Sequence, residues 1–512
     1  MAGIASLIPS PVRDLSVALF CLLTFAAFPS FGVAQDSESA IIEIESPSVT
    51  KHSIRIDGKD IQYTATTGYL TLKKEDGTPR ANIFYVAYTK DSPSSAEERP
   101  LTFSFNGGPG SSSVWLHLGV LGPRRVLMTD EGETLPPPYQ LVDNNESWLD
   151  LTDLVFIDPV STGFSRASEA DQADEFHGLE GDIAAVGDFI RRYVSENKRW
   201  GSPKYIIGES YGTTRGAGLV NHLQSKYGMY LNGVILVSAI TQFQTARFDA
   251  GNDLPYVLFL PTYAASAHYH GQLQEPYASM PMEDFLNEVE NFAAGDYHAA
   301  LFKGDQLDPL KRATILKQLS NYTGLSEVWL DRAELRINIF AFTKELLRKD
   351  RQLVGRFDSR YTGFDMNANS SRGERDPSYQ PTIQGCFSTL INDYLTRELD
   401  FSTHLPYEVL TGRVWPWDFN SDNHYVNTAD RLRAAMERNP DLKVWIANGI
   451  FDLATPYYAT EYTVAHMGLS PAVRDNITMT YYPAGHMMYL QKSSLERMKL
   501  EAHEFYRGQR ND

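Results

Sequence analysis

From Leu101 onward the chain sets short apolar runs against Gly-rich turns, at residues 101–105, 154–157, 205–207 and 234–237. Each run is too short for a helix, and those at 154–157, 205–207 and 234–237 carry no polar alternation, the pattern of a strand buried on both faces. Between two of them Ile183, Val186, Ile190 and Tyr193 recur at helical spacing and give one apolar face for packing on a sheet. This alternation predicts an α/β fold with a mainly parallel sheet flanked by helices. Upstream, residues 35–99 show strand-like alternation at Ile54-Arg55-Ile56 and Gln62-Tyr63-Thr64 around an Asp57-Gly58 turn, a hairpin region. Beyond Ser238 the alternation stops, and helical segments such as 335–347 mix with aromatic and Pro-rich loops. Strand-like text resumes at 444–447 and 478–482. The organisation expected is a core in two parts, 35–242 and 441–512, with a large cap inserted over 243–440. No internal repeat is evident.

The first 34 residues change the picture of where the protein works. Arg13 precedes an apolar run from Leu15 to Phe28, followed by Pro29 and the small-residue site Gly32-Val33-Ala34. This is the layout of a cleaved export signal. The run falls short of the ~20 apolar residues that span a bilayer. The mature protein is therefore expected in the periplasm or secreted, with no stable membrane anchor after cleavage. Cys21 follows Phe20 where a lipid-attachment signal wants a small residue, so the mature chain keeps only Cys386 and no internal disulfide. The full sequence of 512 residues leaves ample core without one. With 46 Lys plus Arg against 64 Asp plus Glu the net charge is −18, the wrong sign for binding phosphate backbones, which excludes nucleic acid as partner. Oligomeric state is not legible.

Gly208-Glu209-Ser210-Tyr211-Gly212 follows a predicted strand and precedes a helix-compatible stretch. That context is a nucleophile elbow, a sharp turn presenting the serine hydroxyl. In such a chain the acid and base follow the serine in the order Ser, Asp, His. Asp452 lies in the loop just past the strand 444–447, and His486 in Pro483-Ala484-Gly485-His486 after 478–482. His486 would take the serine proton and Asp452 would fix its tautomer. His117 is the rival base, but it precedes the serine and breaks this order. For an oxyanion hole the loop Asn106-Gly107-Gly108-Pro109-Gly110 follows the strand 101–105, so the amides of Gly108 and Tyr211 are the candidate donors. No Gly-Lys-Ser/Thr follows, which excludes a phosphate-binding loop. Trp415-Pro416-Trp417 reads first as buried packing and second as cleft lining.

Taken together these segments resemble the serine carboxypeptidase family, whose signatures are an Asn-Gly-Gly-Pro-Gly loop, a Gly-Glu-Ser-Tyr elbow and Gly-His-Met around the histidine. Asp158-Pro159-Val160-Ser161-Thr162-Gly163-Phe164-Ser165 is similar to a further stretch of that family. The resemblance implies an α/β-hydrolase fold and release of single residues from peptide C-termini, with peptide or small acyl substrates and no metal or organic cofactor. It also implies that Asn106, Gly107, Glu209 and Met487 bind substrate, Glu209 as a protonated acid facing the terminal carboxylate, with activity best at acidic pH. Three positions depart from the family: Val120 stands where a second glutamate precedes Leu-Gly-Pro, Ser111 replaces a cysteine, and Gly212 an alanine. They suggest a divergent, bacterial-type member. The missing glutamate leaves a serine esterase or acyltransferase of the same fold as the alternative.

Overall fold

The computed structural model of the chain describes residues 46–91, 98–371, 373 and 375–508. The predicted export signal lies outside them. Nine strands form one continuous path: β1 (Ser48–Ile56), β2 (Lys59–Lys73), β3 (Pro79–Lys90), β4 (Leu101–Phe105), β5 (Asp153–Ile157), β6 (Lys204–Glu209), β7 (Gly233–Val237), β8 (Lys443–Gly449) and β9 (Ile477–Tyr482). Their order across the sheet is β1-β2-β3-β5-β4-β6-β7-β8-β9. The contacts from β1 to β5 are antiparallel, and every contact from β5 to β9 is parallel. The hairpin between β1 and β2 turns at Asp57 and Gly58, both with positive φ, the geometry that an Asp-Gly pair favours in a two-residue turn.

Why these segments are strands is visible in their burial. All residues of β4, β5, β6 and β7 are buried, because helices cover both faces. Phe103, Ile206, Val234 and Leu236 point into one apolar layer with α1 (Leu179–Glu196) and α2 (Tyr211–Tyr227). Alternate residues Leu154, Ile207, Ile235 and Val237 point into the opposite layer, where Phe387, Leu495 and Met498 from later helices pack. Ile183, Val186, Ile190 and Tyr193 do form the buried face of α1. Residues between β7 and β8 build a third apolar cluster around a buried helix, α3 (Leu254–Tyr269), which extends to Phe451 and Leu453 past the end of β8.

One predicted helix starts later than its pattern suggests. Within 335–347 the helix runs only over Ile339–Glu345, because Glu334 and Leu335 have positive φ and the Asn338 side chain accepts from Phe340 N at 3.0 Å, capping a new start. Among the described residues no helix is long and apolar enough to cross a membrane.

The register of the parallel strands aligns their ends. Phe105 sits beside Gly208, Glu209 beside Val237, and Gly449 beside Tyr482. The loops carrying Asn106, Ser210, Asp452 and His486 therefore leave one edge of the sheet, the carboxyl ends where α/β folds bind ligands.

Candidate functional site

Ser210 joins β6 to α2 with φ 59° and ψ −129°, a left-handed backbone forced on a side-chain-bearing residue. Such strain persists where the surroundings fix it, and here they do. Ser210 N donates to Val237 O at 3.0 Å and Thr213 N to Ser210 O at 2.8 Å. The neighbouring backbones approach so closely that a Cβ on Gly107 would come within 2.5 Å of Gly212 N, and closer still to Tyr211 N. Only glycine lets the 106–110 loop lie on the elbow.

That loop is held from three sides. Asn106 Oδ1 accepts from Leu116 N at 3.1 Å, and Asn106 O accepts from Arg215 Nη1 at 2.6 Å. Arg215 is itself buried and paired with Asp182 at 2.7 Å. Asp158, at the head of the segment singled out in the sequence, accepts from both N and Oγ of Ser113 at 2.8 Å. Burial pushes the Asp158 carboxyl up to about 6 despite these donors. Among the described residues no group accepts from Gly108 N or Tyr211 N, so both N–H groups remain available beside Ser210. Ser111, the cysteine replacement, accepts from Trp115 Nε1 at 2.8 Å, while Cys386 is buried elsewhere.

His486 and Asp452 meet as the chain order requires. His486 Nδ1 lies 2.7 Å from Asp452 Oδ2. Both are buried, and Asp452 is further fixed by Ala454 N, Thr455 N and Thr455 Oγ1 at 2.8, 3.0 and 2.7 Å. Burial is the largest influence and disfavours the imidazolium, but the charge and hydrogen bond of Asp452 together with Glu209 leave the net shift of His486 upward. With Nδ1 engaged, Nε2 is the ring nitrogen left to exchange a proton. Among the described residues Ser210 Oγ makes no hydrogen bond to His486, an alignment that in such sites commonly tightens only with substrate bound. The His486 loop is clamped by residues far away in sequence: His486 N donates to Phe357 O at 2.6 Å, Gly485 N to Asp358 Oδ2 at 2.9 Å, and Ser238 Oγ to His486 O at 2.7 Å.

These groups open on one cavity of about 550 Å³, lined by Asn106, Gly107, Gly108, Glu209, Ser210 and Tyr211 together with His486 and Met487. Glu209 is buried, and desolvation lifts its carboxyl to about 7 against the opposing pull of His486 and of the Tyr489 hydroxyl, which donates to Oε2 at 2.5 Å. Asn106 draws it down slightly as well, yet its Nδ2 has no hydrogen-bond partner of good geometry. A buried unpaired amide beside an acid that holds its proton below about 7 is, in that range, a pair of donors without an acceptor.

Every residue predicted from the sequence to act in the site is thus at this cavity except Asp452, which stands behind His486. His117 is elsewhere: it bonds the Tyr88 hydroxyl at 2.7 Å, stacks on Phe156, and burial holds its imidazole down at about 3. Val120 is fully buried in apolar core and does not line the cavity. Trp415 lines the cleft at 54% exposure, whereas Trp417 is buried against Tyr211, so the two tryptophans divide the two readings between them. Sequence reasoning missed Thr455, Tyr489, Phe357 and Asp358. Thr455 follows Asp452 by three residues, an Asx-turn signal; the others carry no local signal.

The family model described as serine carboxypeptidase matches residues 56–496. Serine carboxypeptidase-like 22 of Arabidopsis thaliana is 28% identical over 81% of this chain and 79% of its own length. Serine carboxypeptidase-like 45 of the same plant is 28% identical over 39% of this chain and 42% of its own length. The chain spans less than half the length of several such curated relatives. Among solved structures, the prohormone-processing carboxypeptidase KEX1(delta)p of Saccharomyces cerevisiae covers 86% of this chain and 91% of its own, with TM-score 0.51 and 18% identity, which shows a shared fold. The chain has an α/β-hydrolase fold and belongs to the serine carboxypeptidase family.

Proposed function

We propose that the protein is an exported serine carboxypeptidase that releases C-terminal residues from peptides through Ser210, His486 and Asp452. Ser210 Oγ attacks the last peptide carbonyl while its proton passes to His486 Nε2. The resulting oxyanion is met by the amides of Gly108 and Tyr211. The intermediate collapses as the same proton goes to the leaving amine, and the acyl-enzyme forms. A water, deprotonated by His486, then attacks the acyl carbon and restores Ser210. Asp452 keeps Nδ1–H oriented throughout.

The observation that carries the peptidase reading is Glu209. With Oε2 accepting from Tyr489, a proton on Oε1 and the free Asn106 Nδ2 form two donors in the cleft. A terminal carboxylate fits them, and the acid remains a donor only below its raised value of about 7, hence the expected acidic optimum. The second reading, an esterase or acyltransferase, is favoured by Val120, which supplies no second carboxyl. Matched peptides with free or amidated C-termini and the corresponding methyl esters separate the two, with products identified by mass. Free acids are expected to be cut at least about tenfold faster than amides, because a buried donor pair left unmatched costs about 1.5–3 kcal/mol. Esters cut well with no free-acid preference would give the second reading.

A further inference from the structure

The cleft beyond the reacting groups has two aromatic walls, and each carries an arginine. On the His486 side Phe357 lies 5.0 Å from the imidazole and 5.8 Å from Tyr379, which meets Trp115 at 6.1 Å. Arg356 rests on Phe357 at 4.4 Å, its nearest carboxylate, Asp376, 3.9 Å away and beyond hydrogen-bond reach. This wall adjoins the base that protonates the leaving amine, so it belongs to the leaving residue. Tyr211, half of the proposed oxyanion hole, packs on Trp417 at the start of the other wall, where Phe243, Trp415 and Phe419 gather. That side is left for the acyl residue.

Arg247 stands on the second wall. Its guanidinium lies 5.3 Å from the Phe243 ring and 5.4 Å from the Phe419 ring, which are 5.5 Å from each other. The two rings fix the plane of the group and leave its N–H edges uncovered. Among the described residues no carboxylate or other acceptor meets those donors. Among the described residues lining the cavity the only carboxylic side chain is Glu209, next to Ser210 in the chain. A chain with net charge −18 thus presents two guanidiniums to its substrate, only one of them near an acid. An aromatic-held guanidinium with a free edge matches a carboxylate bidentately.

We infer that Arg247 is a specificity-determining residue that selects an acidic side chain, Asp or Glu, on the acyl side of the bond to be cut. This rests on the proposed Ser210 chemistry for its reaction, and its test keeps the two apart. Blocked dipeptides with Glu, Gln or Lys before a constant C-terminal Leu, and methyl esters of the same blocked Glu, Gln and Lys, are assayed with the purified protein. The Glu-to-Gln ratio of kcat/KM is expected at about 5 to 20 in both series, a charged contact discounted for its exposure. Arg247→Gln should bring the ratio to about 1, and Arg247→Glu should invert it so that Lys substrates overtake Glu ones, a gain that misfolding cannot mimic. Equal turnover of Glu and Gln substrates by the unaltered protein overturns the inference, as does a ratio retained in Arg247→Gln. Peptides left uncut while esters keep the ratio would remove the carboxypeptidase reading and leave this one standing.

Discussion

Replacing Glu209 by Gln probes the carboxylate anchor where structure gives a number to work from. Burial lifts Glu209 to about 7, whereas a C-terminal carboxyl ionises near ~3.5. Between pH 6 and 8 the substrate carboxylate is therefore always charged, and only the enzyme side changes. With a pKa of about 7 the protonated fraction falls from about 0.9 at pH 6 to about 0.1 at pH 8, roughly tenfold. An ionised Glu209 repels the substrate and no longer donates, so kcat/KM for a free-acid peptide should fall by that factor. His486 also titrates, upward from its ordinary value, but it serves esters and peptides alike. Dividing the free-acid kcat/KM by that of an ester without a carboxylate cancels it. The ratio should drop about tenfold from pH 6 to 8 in the natural protein and stay level in Glu209→Gln, whose amide donates at every pH. Since kcat/KM reports the free enzyme, the group seen is the unliganded Glu209. The same shift has a stability counterpart. A carboxyl raised in the folded state binds its proton more tightly there, so stability is highest at low pH and declines as pH rises from ~4.5 to about 7. Glu209→Gln should remove its share of that decline, leaving the share of Asp158, whose carboxyl is raised as well. A flat ratio in the natural protein, or an unchanged slope in Glu209→Gln, would refute the reasoning.

Ser210→Ala and His486→Ala should each lose on the order of 10³- to 10⁶-fold in kcat without summing in the double variant, and Asp452→Asn somewhat less, as steady-state rates on a free-acid peptide would read. Gly107→Ala drives a methyl into the backbone nitrogens of the elbow, and about 10²-fold or more of kcat should go with the displaced oxyanion donor while the far-ultraviolet circular dichroism stays native. Arg215→Met strands buried Asp182 and removes the donor to Asn106 O, so urea unfolding should register a loss of about 3–5 kcal/mol.

Strands β5 to β7 were legible because burial on both faces writes itself as an unbroken apolar run, and β4 because its three apolar residues lead straight into a Gly-rich loop. β1 and β2 were only glimpsed as short alternating pieces, since half-exposed positions such as Thr66 and Tyr69 blur the period, and β3, buried from Ala81 to Tyr88, was not singled out. The nucleophile loop, oxyanion loop and histidine loop were readable because each is one contiguous stretch whose glycines answer to local backbone demands. What holds them was not. Asp358 reaches Gly485 across 127 residues of sequence, and Tyr489 reaches Glu209 across 280. No spacing rule links such partners; the sheet register does. Arg247 was equally silent, because a guanidinium on two rings has no signature until Phe243 and Phe419 come together.

Labelling by a fluorophosphonate is the most direct test of Ser210 as nucleophile. The reagent phosphonylates a serine only where a base, a free hydroxyl and an oxyanion hole converge. Proteolysis and mass analysis of the labelled protein should find one adduct, on Ser210, absent from Ser210→Ala and strongly slowed in His486→Ala. An adduct on another residue, or undiminished labelling of Ser210→Ala, would contradict it.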